Sequence, residues 1–121
     1  MAQILLVDDN EPLLELTGRV LRRAGHQVSL ATNGRDALNL VQDKTFDLVI
    51  TDLVMPEKEG IETILELRRK FPALRIIAMS GGGLADPETN LKLARHLGAV
   101  HTLAKPFSSE EFLAAVASVL S

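Results

Sequence analysis

The segment Gln3-Ile4-Leu5-Leu6-Val7-Asp8-Asp9-Asn10-Glu11-Pro12 decides how this chain folds, because an apolar run ends abruptly in charge. Gln3 to Val7 reads as a buried strand. Asp8 and Asp9 follow at once. Asn10 then offers a helix cap, and Pro12 is tolerated only in the first turn of a helix. From Pro12 to Ala24, residues Leu13, Leu14, Leu16, Val20 and Leu21 recur at helical spacing, and Gly25 ends the helix. A buried strand, an acidic turn and an amphipathic helix make one βα unit.

The same unit repeats outward from this point. Gln27 to Ala31 reads as a second strand, followed by a short helix from Gly34 to Asp43 with Ala37, Leu38 and Val41 on one face. Phe46 to Thr51 is the third strand, and Glu59 to Phe71 is helical until Pro72 stops it. Leu74 to Met79 is the fourth strand. Gly81-Gly82-Gly83 makes a loose loop, and Asp86 with Pro87 reads as cap and first position of a helix to Leu97, ended by Gly98. Val100 to Leu103 is the fifth strand. Ser108 with Glu111 forms a capping box that opens the last helix.

The order βα, five times over, implies an α/β fold: a doubly wound parallel sheet of five strands with helices on both faces. Right-handed crossovers favour the flavodoxin-like order 2-1-3-4-5. The 121 residues fit one domain, 1–121, with no internal repeat or linker, so no output domain is expected in this chain.

Composition narrows the function. Aromatics are only 3% against 46% hydrophobic residues, so the core must be aliphatic. No segment approaches the roughly 20 apolar residues of a membrane span, and no cleavable leader is visible. Without cysteine there are no disulfides and no thiolate metal sites, which agrees with a cytoplasmic protein. The net charge of −3 comes with no long basic stripe, so direct nucleic-acid binding is not expected. Arg22-Arg23 and Arg68-Arg69-Lys70 are basic helix ends that complement the helix dipole.

Three strand-like runs end in polar groups: Val7-Asp8-Asp9, Ile50-Thr51-Asp52 and Leu103-Ala104-Lys105. In a parallel α/β sheet such ends gather at the carboxyl edge, where ligands bind. Three carboxylates there repel one another unless a cation sits among them. A hard divalent ion with oxygen ligands suits them, Mg2+ above all. Lys105 is a ready partner for a phosphoryl group, and Ser80, at the end of the fourth strand, has a hydroxyl able to donate to a phosphoryl oxygen. Pro106 holds the backbone of Lys105 extended.

Over essentially its whole length the chain resembles the receiver domain of bacterial two-component response regulators. The resemblance rests on Asp8-Asp9 after strand one, Asp52-Leu53-Val54-Met55-Pro56 with Gly60 beyond it, Ser80-Gly81 after strand four, and Lys105-Pro106-Phe107 after strand five. It implies that Asp52 is a phosphoacceptor served by a sensor histidine kinase or a histidine phosphotransfer protein. It implies that Asp9 and Asp52 hold Mg2+ with the backbone carbonyl of Val54, and that Asp8 acts through a metal-bound water. Ser80 and Lys105 would bind phosphoryl oxygens, with Gly81 small enough to let the group approach. Phosphoryl transfer needs charge neutralisation and alignment more than covalent help from the protein, and this set supplies both.

The chain departs from the family where an aromatic residue usually stands, three before the strand-five lysine. Here that position is Thr102, with His101 before it. Thr102 cannot fill the aromatic's volume, which puts the usual switch in question, and His101 reads as a partly exposed structural histidine. The expected readout is a surface around Leu91, Ala94, Thr102 and the last helix that binds an output protein. The expectation is therefore a self-phosphorylating signalling module rather than a turnover enzyme. The alternatives are a pseudo-receiver that only scaffolds and a flavodoxin-like small-molecule binder; against the second, Asp8-Asp9-Asn10-Glu11 after strand one would repel a phosphate.

Overall fold

The apolar run at the start of the chain lies inside a five-stranded parallel sheet of order β2-β1-β3-β4-β5. The computed structural model describes residues 2–53, 59–80 and 87–121. Among the described residues strands and helices alternate: β1 (Gln3–Val7), α1 (Glu11–Arg23), β2 (Gln27–Ala31), α2 (Gly34–Asp43), β3 (Leu48–Asp52), α3 (Glu59–Lys70), β4 (Arg75–Ser80), α4 (Pro87–Leu97), β5 (His101–Ala104) and α5 (Ser109–Leu120). The expected fold class and strand order are both present.

Strand alternation sorts the apolar side chains into two cores. Ile4 and Leu6 of β1, Leu48 and Ile50 of β3, and Ile77 and Met79 of β4 face α1 and α5, where Leu14, Leu21, Phe112 and Val116 meet them. Leu5, Val7, Val49, Ile76 and Ala78 face the other way, onto Ala37 and Val41 of α2 and Ile64 and Leu67 of α3. Successive strand residues point to opposite faces, so only a sheet covered on both sides buries a run such as Ile4-Leu5-Leu6-Val7. All four are 0% exposed, and each buried aliphatic side chain contributes about 1.5–3 kcal/mol relative to exposure.

Helix ends follow local chemistry. The Asn10 side chain accepts from the Leu13 amide at 3.2 Å, which makes it the α1 cap. Asn33 does the same for α2, accepting from Asp36 N at 2.8 Å, a cap that sequence reading passed over. Gly25 and Gly98, at φ 97° and 111°, take the left-handed backbone that ends α1 and α4. At α5 the capping box is complete: Ser108 Oγ accepts from Glu111 N at 3.0 Å, and Glu111 Oε1 accepts from Ser108 N at 3.2 Å. Ser108→Ala removes half of that exchange and is expected to cost about 1 kcal/mol, read as a lower midpoint in thermal denaturation.

Several boundaries differ from the apolar pattern by a residue or two. β3 starts at Leu48, not Phe46, because Phe46 leaves the strand to pack in the core at 7% exposure, with the Lys44 ammonium 5.7 Å from its ring centre. At their other ends β3, β4 and β5 run one residue further than expected. Backbone pairing sets those limits: Asp52 pairs in register with Met79, and Ser80 with Ala104. α1 begins at Glu11 and ends at Arg23, and α3 stops at Lys70. The Gly81-Gly82-Gly83 loop and the Asp86 cap lie outside the described residues.

Candidate functional site

Because the strands are parallel, their carboxyl ends meet at one edge. Asp8 directly follows β1 and is 1% exposed, Asp52 is the last residue of β3 at 5%, and Asp9 is exposed. One carboxylate oxygen from each lies within 4.8 Å of the others. Lys105, directly after β5, reaches into this cluster. Its Nζ donates to Asp8 Oδ2 at 2.8 Å and stands 3.5 Å from Asp52 Oδ2. Asp8 Oδ1 accepts from the Asn10 amide at 3.0 Å. Both oxygens of Asp8 are thus engaged, one by the start of α1 and one by a residue 97 positions away.

The backbone fixes the lysine as firmly as its side chain. Lys105 N donates to Ser80 O at 2.8 Å, so the end of β5 is anchored to the end of β4. The Lys105–Pro106 peptide is cis. Phe107 stacks on Phe112 of α5, with ring centres 5.3 Å apart, which seats the segment after the lysine on the α1/α5 core. Ser80 itself is 0% exposed at the last position of β4.

The donor set fits a small hard cation. Carboxylate oxygens are the ligands Mg2+ takes, and an octahedral ion with bonds of about 2.1 Å holds its ligand oxygens about 3.0–4.2 Å apart. Three oxygens already within 4.8 Å of one another need only small rotations to reach that spacing. Val54, the expected backbone ligand, and Gly81 lie outside the described residues.

Two residues contribute more than the sequence suggested. A Cβ built on Gly60 would lie 2.4 Å from both Asp52 O and Leu53 O, and 2.6 Å from Leu53 C. The start of α3 therefore rests directly on the backbone that carries Asp52, and only a residue without a side chain fits there. Gly60 was recognised as part of a motif, but its reason is a contact across a turn that no spacing rule reveals. The second is Thr51, whose Oγ1 donates to Asp52 O at 3.1 Å.

The expected switch residues stand apart from the carboxylates. Thr102 is half-buried, and its Oγ1 accepts from Arg95 Nη2 of α4 at 3.4 Å. His101 is exposed at the start of β5. The side chains of Leu91 and Ala94 are outside the described residues.

Among the described residues, clustered carboxylates and one lysine meet at the carboxyl edge of a 2-1-3-4-5 sheet, the edge where folds of this class place their functional groups. The chain matches the response regulator receiver domain family over residues 4–117, and it belongs to that family, within two-component systems. Similar solved structures agree. A CheY-like receiver domain protein from Methanospirillum hungatei JF-1 is 26% identical, with 99% of this chain and 94% of that one covered and a TM-score of 0.89. A receiver domain protein from Clostridium thermocellum is 27% identical, with 99% and 94% covered and a TM-score of 0.90. NtrX from Brucella abortus is 26% identical over 98% of this chain but only 26% of its own length, with a TM-score of 0.91. No helix among the described residues is long and apolar enough to cross a membrane.

Proposed function

We propose that this receiver domain accepts a phosphoryl group on Asp52 from the phosphohistidine of a sensor kinase or histidine phosphotransfer protein, and signals by binding another protein or by relaying the group. One observation carries the reading: Asp52 stands at the end of a central strand, 5% exposed, with an ammonium 3.5 Å from its carboxylate. In the transfer, an Asp52 carboxylate oxygen attacks phosphorus, the P–N bond to histidine breaks, and the imidazole nitrogen keeps the electron pair. The product is an aspartyl phosphate.

The chain's own groups share the work. Lys105 pairs with a phosphoryl oxygen, exchanging its present carboxylate contacts for the new anion. Ser80 bonds a second oxygen, held in place by β4 pairing with β5. Asp8, Asp9 and Asp52, with the Val54 carbonyl, would hold Mg2+, whose chemistry is to neutralise charge on the transferring group. The proposed output is reported through the α4–β5 surface, where Thr102 and Arg95 meet in place of an aromatic side chain.

The test is intact-mass measurement after incubation with acetyl phosphate. A gain of one phosphoryl group with Mg2+, and none with a chelator, is the expected result. No gain under either condition, with no Mg2+ binding detected by titration, would leave a scaffold as the better description.

A further inference from the structure

Thr51 is the polar member of an apolar row across four strands, a row that ends at the half-buried Thr102 of the edge strand β5. The strand registers place Ala31, Val7, Thr51 and Ala78 side by side across β2, β1, β3 and β4. Ala31, Val7 and Ala78 belong to the core under α2 and α3, and so do Val49 and Leu53, the residues two before and two after Thr51. Thr51 is 0% exposed. Val would satisfy this place in every packing respect: it is β-branched, of like shape, and brings no polar atom to desolvate. A hydroxyl sealed there costs free energy unless it is paired, and its pairing is with Asp52 O at 3.1 Å.

That carbonyl is the hinge point between the strand and the chain that leaves it. Gly60 packs closely against it, where an added Cβ would stand 2.4 Å away. The hydroxyl of Thr51 and the bare backbone of Gly60 therefore both meet the Asp52–Leu53 peptide. The same peptide is tied into the sheet by Leu53 N, which donates to Met79 O at 2.9 Å, so a shift of this peptide displaces the Asp52 backbone from which the carboxylate departs.

We infer that Thr51 is a positioning residue: its hydroxyl, through the Asp52 carbonyl, aligns the Asp52 carboxylate for phosphoryl transfer. The inference rests on Asp52 being the phosphoacceptor. It concerns alignment, not stability, so the hydroxyl and the fold should separate in experiment.

Thr51→Val and Thr51→Ser are compared with the native protein by three readouts. These are the rate of mass gain with acetyl phosphate at saturating Mg2+, the thermal midpoint, and the chemical shifts of the Asp52 carbonyl carbon and the Leu53 amide nitrogen. In Thr51→Val the rate should fall about tenfold, the loss that a misaligned reacting group brings, while the midpoint holds or rises. Both shifts should move. In Thr51→Ser, which keeps the donor, rate and shifts should return most of the way to native. A native rate in Thr51→Val would overturn the inference. So would a slow Thr51→Val whose shifts are unmoved, or one whose loss Thr51→Ser does not recover while both variants melt lower, since the effect would then be packing. If the native protein itself takes up no phosphoryl group, the phosphoacceptor reading fails and the inference fails with it. A native protein that reacts beside an unaffected Thr51→Val sinks the inference alone.

Discussion

Replacing Asp52 by Asn is expected to abolish phosphoryl incorporation completely while yielding a protein that melts higher than native in Mg2+-free buffer. The first half follows from chemistry: an amide oxygen is not a nucleophile able to form the acyl phosphate, and no other carboxylate takes its place. Asp8 is committed at both oxygens, to the Asn10 amide and the Lys105 ammonium. The second half follows from electrostatics. Among the described residues, three carboxylate oxygens within 4.8 Å face a single ammonium. Like charges about 5 Å apart repel by about 3 kcal/mol at an effective dielectric near 20, and screening at exposed Asp9 reduces this. Removing one charge of three should raise the thermal midpoint by a few degrees. Mg2+ should raise the midpoint of the native protein, since a ligand bound only by the folded state stabilises it, and should do so far less in the variant. Mass spectrometry and thermal denaturation with and without Mg2+ check both halves. An Asp52→Asn protein that still gains a phosphoryl group would place the acceptor elsewhere.

Gly60→Ala is expected to be nearly as damaging to phosphorylation, although residue 60 bears no reactive group. The added methyl would lie 2.4 Å from two backbone oxygens and 2.6 Å from a carbonyl carbon, none of which can rotate away as a side-chain tip can. Either α3 lifts at its first turn or the Asp52–Leu53 segment shifts, by something near 1 Å. Overpacking of that kind costs about 1–3 kcal/mol in stability. A displacement of about 1 Å at a reacting group can cost about a hundredfold in rate. Gly18→Ala is the built-in control. There the nearest atom is Leu30 Cδ2 at 3.3 Å, at the end of a flexible side chain. Alanine also favours a helix interior over glycine by about 1 kcal/mol. That variant should phosphorylate at the native rate and melt no lower. Equal rates for Gly60→Ala and native would show that the segment yields without moving Asp52.

The fold was legible because its two signals, periodicity and punctuation, agree along the chain. Val7 into Asp8 and Leu103 into Lys105 mark where strands surrender to the site, and Gly25 and Gly98 mark where helices stop. What apolarity could not show was the last rung of pairing. Asp52 and Ser80 are polar, so they read as residues after strands, yet backbone pairing with Met79 and Ala104 keeps them inside. Phe46 failed in the opposite sense, being apolar without being in the strand. The site was legible as a set of residue types, since three carboxylates and a lysine at strand ends leave few chemistries open. Its finer arrangement was not. That Lys105 bonds Asp8 more closely than Asp52, that Gly60 rests on the Asp52 carbonyl, and that Arg95 meets Thr102 are contacts between distant or turning segments, and no local pattern encodes them.

Leu5 and Leu6 are neighbours in the chain and belong to different cores. The three middle strands thus act as a shared wall between two rooms, and each room presses on it from its own side. The same three strands carry Asp8, Asp52 and Ser80 at their upper rim. A packing fault under α1 and α5, or one under α2 and α3, reaches those groups by the same route, as a tilt of the wall on which all three are mounted. The alignment of the site is therefore a balance struck between two separately filled interiors, and neither can be repacked without being felt at the rim.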